Sequence, residues 1–458
     1  MGDLLEKEEF LKLLSEAEAR LESRFSALPD FDSGLPGAAR AGGVLNEVAD
    51  RLADNYPYFH PLYAGQMLKP PHPMARAAYA LTMGINPNNH ALDGGRASSA
   101  MEKEAVAQIA FMFGWETHLG HLTQGGTMAN LEALWVATNL RPFTILAASA
   151  QAHYTHGRMS EVLRMPFEAL ATDNRGRIDP RALEARLSKS NDIGCVIVTL
   201  GTTATGSVDP LPEIVSLRSR FGFRLHVDAA YGGYFKLAGN LDDEVRSAFA
   251  CIRQADSIVI DPHKHGLQPY GCGCVVFRDP SVGQIYSHES PYTYFSSKAL
   301  HLGEISLECS RPGAAAVALW ATQRLLPLVP GGEFAMGLES CHRAAQAFAD
   351  RLTRDGRFLV PFPPQLDIVV WAPRAKNATE ASALSQRIFD EAAKMNLHLA
   401  LARLPVRFFE AACPELEPGE KEVLCLRSVL MKPEHESWLE EIVRILGVAT
   451  DRALAAEK

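Results

Sequence analysis

From about residue 100 to residue 311, short apolar runs alternate with helical patterns, which predicts an α/β fold with a mostly parallel sheet. The runs at 195–200, 225–229, 257–260 and 273–277 are apolar or β-branched with few alternating polar residues, as strands covered on both faces are. The chain has 458 residues, 47% hydrophobic and 22% charged, enough for roughly two or three domains with large cores. A second region after Arg311 carries strand and helix patterns of its own and reads as a smaller C-terminal α+β domain.

The elements follow in order. Residues 4–25 read as an amphipathic helix, with Leu4, Leu11, Leu14, Leu21 and Phe25 near one face and Glu18 interrupting it. A helix so near a terminus must bury that face on its own body or on a partner chain. Pro29 to Gly43 reads as a Gly/Pro/Asp-rich break, and the aromatic, proline-rich stretch 55–63 as irregular. Helices are expected at 101–113, 127–139, 180–188, 211–220 and 241–254. Strands are expected at 144–149 and at the four runs above. A helix at 314–326 leads to strands at 366–371, 397–401 and 422–429 with flanking helices. There is no internal repeat.

Composition excludes several classes. The formal charge is −9, so a nucleic-acid partner is not expected. Of eight cysteines only Cys272 and Cys274 are close, and no second pair completes a zinc site. No metal is expected, and the thiols read as free and buried in a reducing compartment. No secretory signal and no run of the ~20 apolar residues a membrane span needs is present, so a soluble, cytoplasmic protein without a membrane partner is expected. Asn377-Ala-Thr379 is a formal glycosylation sequon, read as chance.

Three stretches carry chemistry. In Asp261-Pro-His-Lys-His265, a lysine follows an apolar strand into a turn, where open α/β sheets bind ligands. Lost solvation and flanking rings that can carry charge favour its neutral amine, the form that makes Schiff bases. In Leu225-His-Val-Asp-Ala-Ala-Tyr231, a strand delivers Asp228 into small residues that let a flat group approach. In Gly120-His-Leu-Thr-Gln-Gly-Gly-Thr127, a glycine pair and a threonine open a helix and offer an anion free N–H groups. This is neither a P-loop nor a dinucleotide fingerprint. An amine, a carboxylate and a phosphate cup are the three groups pyridoxal phosphate needs.

With those residues, the sequence resembles the group II pyridoxal-phosphate-dependent decarboxylases, which include aromatic amino acid, glutamate and histidine decarboxylases. The likeness runs from about Tyr56 to Arg311 and is most specific in His226-Val-Asp-Ala-Ala-Tyr231, Asp261-Pro-His-Lys264 and Thr199-Leu-Gly-Thr-Thr203. It implies the aspartate-aminotransferase fold, type I: a large domain with a mostly parallel mixed sheet flanked by helices, plus the smaller one. It divides the chain into a clasping segment 1–65, a cofactor domain 66–315 and a small domain 316–458. It implies a homodimer with active sites at the subunit boundary and pyridoxal 5'-phosphate as cofactor.

The resemblance also implies roles. Lys264 carries the cofactor, Asp228 pairs with its ring nitrogen, and Ala230 and His153 cover its two faces. Thr203 reaches the ring hydroxyl or the nearby carboxylate, and Gly126 and Thr127 hold the phosphate. His263 lies near substrate, and Arg427 takes the substrate carboxylate. Tyr292 and Tyr294, in the polar aromatic stretch 287–297, are the candidate proton donors. Asp261 stands where several members have Asn or Ser, near the phosphate, so its role is left open.

The expected reaction is decarboxylation of an L-amino acid to its amine and CO2. The aromatic segment holding Tyr56 and His60 resembles the part that lines the substrate pocket in aromatic decarboxylases, which favours an aromatic or bulky substrate. An acidic amino acid would want a further fixed cation, for which Arg96, Lys298 and Arg311 are candidates. Lys264-His-Gly-Leu267 and Cys309-Ser-Arg-Pro-Gly313 also resemble the sphingosine-phosphate lyases, so an aldehyde-forming carbon–carbon lyase is the alternative reaction.

Overall fold

The computed structural model describes residues 7–29, 38–286, 302–414 and 420–455. The large sheet has seven strands: β1 (Leu119–Thr123), β2 (Ile145–Ser149), β3 (Phe167–Leu170), β4 (Ile193–Thr199), β5 (Arg224–Asp228), β6 (Ser257–Ile260) and β7 (Gly273–Phe277). Their order is β1-β7-β6-β5-β4-β2-β3. Only β7 runs against the rest, being antiparallel to both neighbours while the other pairs are parallel. Every residue of β4, β6 and β7 is buried, which is why their sequences are continuous apolar runs.

Helices Arg96–Met112, Gly126–Leu140, Pro180–Lys189 and Leu211–Phe221 flank the sheet. Asp179 fixes the start of Pro180–Lys189 by accepting from Arg181 N and Ala182 N, with proline at the first helical position. The expected helix at 241–254 is two pieces, Asp243–Cys251 and the 3-10 turn Ile252–Gln254.

The second sheet is antiparallel, ordered β10-β11-β9-β8, with β8 (Phe358–Leu359), β9 (Ile368–Pro373), β10 (Ala400–Pro405) and β11 (Glu422–Val429). Helices Glu333–Asp355, Ala378–Ala393 and His435–Ala455 share one buried apolar cluster with it, centred on Phe348 and Trp371. Asn377, the sequon residue, caps Ala378–Ala393 by accepting from Glu380 N.

Several expectations need correction. Helix Ala38–Leu52 begins inside the stretch read as a break, and Gly42 and Gly43 lie within it. The N-terminal helix is Lys7–Ser23, and its half-buried face is Phe10, Leu14, Ala17 and Leu21, while Leu11 is 54% and Phe25 53% exposed. Residues 397–399 are extended but not part of β10; they pair instead with 62–64, through Ala64 N to His398 O and His398 N to Leu62 O. All eight cysteines are free, but Cys309 is exposed and Cys251 half-buried. Among the described residues no helix is long and apolar enough to cross a membrane.

Candidate active site

β1, β2, β4, β5 and β6 run in one direction, so their carboxyl ends share one edge of the sheet. β1 leads into Gly125–Thr127, β2 into His153 and β4 into Thr203; β5 ends on Asp228 and β6 feeds Asp261–Lys264. These loops line a single cavity of about 680 Å³. The fold thus brings Gly126, Thr127, His153, Thr203, Asp228, Ala230, Asp261, His263 and Lys264 to one wall.

Helix Gly126–Leu140 has no side-chain cap, so its first N–H groups are left for a ligand. A Cβ at Gly126 would sit 2.7 Å from Asp261 Oδ2, which explains why the cup opens on glycine. Asp261 is buried, and its Oδ2 pairs with Lys264 Nζ at 3.0 Å and lies 3.6 Å from His263 Nε2. The expectation of charged rings around the lysine is corrected here. Burial holds His263 and His265 below the usual histidine range, against the pull of Asp261 and Asp367, and the amine's ion-pair partner is a carboxylate.

Asp228 is 5% exposed. Its Oδ1 accepts from Ala230 N at 3.0 Å; Oδ2 lies 2.9 Å from His156 Nε2 and 3.4 Å from Asn130 Nδ2. Burial alone would raise this carboxyl. His156, the Ala230 N–H and the Lys264 charge overcome it and hold Asp228 well below the usual carboxylate range. Behind it, His226 Nε2 donates to Asn130 Oδ1 and His226 Nδ1 accepts from Ser257 Oγ, both at 2.8 Å. Burial pushes His226 down to about 3, so it is a neutral link. His153 is half-buried, with Nδ1 2.6 Å from Thr155 Oγ1 and its ring 4.3 Å from that of Tyr154.

The pyridoxal-dependent decarboxylase conserved domain matches residues 55–373, well over half of the chain. The chain belongs to the pyridoxal-dependent decarboxylase family. An L-tyrosine decarboxylase from Enterococcus faecium is 28% identical, with 85% of this chain and 85% of that protein aligned. An L-aspartate decarboxylase from Thermococcus kodakarensis is 30% identical over 61% of this chain and 71% of its own length. Among solved structures, Oryza sativa TDC with PLP and tryptamine has a TM-score of 0.76 at 18% identity, covering 98% of this chain and 100% of that one. Mouse CSAD in apo form has a TM-score of 0.76 at 19% identity, covering 96% and 92%. At such identities the structures speak for the fold, which is that of the type I pyridoxal enzymes.

The wall fits the family's cofactor, pyridoxal phosphate. It offers an uncapped helix start, an ionised buried carboxylate at Asp228, the Lys264 amine, and the small Ala230 and the His153 ring as surfaces for a flat ligand. Three expected residues lie off this wall. Tyr56 packs on His398, ring centroids 4.7 Å apart, and His60 on Trp438 at the mouth of a second cavity. Arg427 is buried and donates to the carbonyls of Thr203, Ala204 and Gly65 and to Gln66 Oε1. The Arg427 guanidinium is taken up by these carbonyls, whereas Tyr56 is 58% exposed. Tyr292 and Tyr294 lie outside the described residues.

Sequence reasoning missed His156, Asn130, Tyr270 and Asp367. Tyr270 lines the cavity and covers the His263 ring at 4.8 Å. Asp367, from the segment before β9, accepts from Tyr231 Oη at 2.6 Å and lies 3.1 Å from His265 Nε2, tying the second sheet to the lysine loop. His156 had a signal, a second histidine one helical turn after His153; the others acquire partners only through the fold.

Proposed function

We infer that this decarboxylase acts on an L-amino acid with an aromatic or otherwise bulky side chain, releasing the amine and CO2. The observation that carries this reading is the cavity wall. Met128, Leu131, Tyr154, Met159, Val162 and Tyr270 line it, and among the described residues Lys264 is its only lysine or arginine. Recognition of a second carboxylate would want a fixed cation there. Arg311 and Arg427 are buried with their guanidiniums engaged inside the protein. Arg96 is exposed and lines no part of the cavity, and Lys298 lies outside the described residues. The E. faecium relative named for L-tyrosine agrees with this reading; the T. kodakarensis relative named for L-aspartate is the competing case.

Bound pyridoxal phosphate supplies the electron sink for breaking the bond to the carboxylate. Lys264 is the residue that would hold its aldehyde, Gly126 and Thr127 its phosphate, and Asp228 its ring nitrogen. Asp228, kept ionised, holds a proton at that nitrogen. The apolar wall excludes water from the reacting carbon and destabilises a charged carboxylate held against it. Proton return to the carbon falls to Tyr292 or Tyr294 in this reading. Tyr270 is a poor donor: its hydroxyl is committed to Met67 O at 3.1 Å, and burial pushes it up to about 12.

The reading extends to the assembly. Residues 1–65 clasp a second copy, 66–315 form the cofactor domain, and 316–458 the small domain, with active sites at the boundary of a homodimer. It assigns the enzyme to the cytoplasm, where eight free thiols stay reduced. One assay panel tests the substrate: L-tyrosine, L-tryptophan, L-aspartate and L-glutamate for amine and CO2, and a phosphorylated amino alcohol for aldehyde. Faster turnover of either acidic substrate, or aldehyde release, overturns the proposal.

A further inference from the structure

His156 is the second residue of helix Thr155–Val162, and its ring is fully buried. Its Nε2 approaches Asp228 Oδ2 to 2.9 Å, a contact that is short but not in line with the ring N–H. On the other side of the ring, Nδ1 has no hydrogen-bond partner among the described residues. A buried imidazolium would therefore carry an Nδ1–H with no acceptor, which is costly, whereas the neutral tautomer protonated at Nε2 keeps its one N–H on the nitrogen that lies 2.9 Å from the carboxylate.

The other groups that face Asp228 do not duplicate this. Ala230 N holds the opposite oxygen. Asn130 Nδ2 is 3.4 Å away and already donates to Gly126 O at 2.8 Å. Lys264 acts on Asp228 through charge, and Asp261 acts on Lys264 in turn, while His153 and His226 are both lowered by burial against the pull of Asp228.

We propose that His156 is a positioning residue that, as a neutral donor, fixes the Asp228 carboxylate and keeps its negative charge available to the cofactor ring nitrogen. This rests on the reading of Asp228 as the partner of that nitrogen. A charged residue at 156 would neutralise Asp228 itself and compete for that role. A neutral donor stabilises the anion without cancelling it.

The test uses the full-length protein with His156→Gln, which keeps a donor near the Nε2 position, and His156→Leu and His156→Asn, which do not reach Oδ2. Three quantities are read: the Kd for pyridoxal phosphate by equilibrium dialysis, the pH titration of the bound cofactor's absorbance, and kcat against KM. The leucine and asparagine variants are expected to bind the cofactor about ten- to a hundredfold more weakly, the factor one hydrogen bond to a charged group carries. Their absorbance titration shifts, and kcat falls by a similar factor with KM within about twofold, while glutamine recovers most of each. A leucine variant that folds and matches wild type in Kd and titration overturns the proposal. Should leucine not fold, an asparagine variant equal to wild type does the same. If the wild type itself takes up no pyridoxal phosphate, and borohydride leaves Lys264 unlabelled, the reading of Asp228 falls first and this proposal with it.

Discussion

Arg311 Nη1 lies 2.6 Å from Glu102 Oε1 and 2.7 Å from Leu122 O, and Nη2 donates to Asn89 O. Glu102 in turn accepts from Leu122 N and Asn89 Nδ2, so one buried ion pair holds β1, the 88–89 turn and the chain before helix Gly313–Leu325 together. Its sign made Arg311 a candidate for a substrate carboxylate; its burial removes it from that role. Arg311→Met would leave Glu102 buried and unpaired. The expected result is a loss of about 3–5 kcal/mol in urea denaturation, with the order of preference among amino acids unchanged. A variant of unaltered stability that shifts from one substrate class to another would refute this account. At this scale the sequence shows what is contiguous: Asp228, Lys264 and the Gly126–Thr127 cup stand in short motifs that point to one cofactor when the three are taken together. It hides what the fold assembles. Asp228 and His156 are brought together by β5 and a helix that follows β2, and no local pattern encodes the meeting of two strand ends.

Among the elements, β6 and β7 were legible to the residue because burial on both faces removes polar alternation and leaves sharp edges to each run. β3 was not, since it is the edge strand of the sheet and its residues are of mixed exposure. Helix Ala38–Leu52 was hidden by its glycines, which lower helix propensity without forbidding a helix. That helix presents Val44, Leu45, Val48 and Leu52 at helical spacing, and they are 59%, 66%, 45% and 61% exposed in the single chain. An apolar face of this kind is what a clasp on a second copy would cover. Leu45→Glu with Leu52→Glu costs a lone chain almost nothing, since surface substitutions stay within about 0.5 kcal/mol. If the face is an interface, the pair instead shifts the protein toward monomer in light scattering at micromolar concentration. A dimer of unchanged mass in the double variant would remove this helix from the clasp.

For the whole molecule, buried titratable groups set how stability follows pH. Burial pushes His226 and His435 each down to about 3, whereas the unfolded chain titrates them near 6.5. As pH falls below 6.5 the unfolded state takes protons the folded state refuses, so each histidine removes up to about 1.4 kcal/mol per pH unit. His153, His263 and His342 are also lowered and act in the same direction. Asp209 opposes them. Burial pushes it up to about 7 despite backbone N–H groups of Ile178 and Thr199 at 2.7 Å, so between about 4 and 7 the folded state holds a proton the unfolded state releases. Asp228 and Asp367 are held below the usual range, so their stabilisation is present above about 4 and is lost only in stronger acid. The histidines outnumber Asp209, so the Tm of the cofactor-free protein should fall as pH drops from 6.5 to 4.5 at constant ionic strength. His435→Asn keeps an acceptor near Nδ1, which takes Lys432 N at 3.2 Å, and deletes the titration. With one histidine gone, Asp209 cancels most of what His226 contributes, so the variant's Tm should be distinctly flatter across that window. Equal slopes for variant and wild type would mean that His435 takes up its proton in the folded state, and that burial is not what governs the acid response.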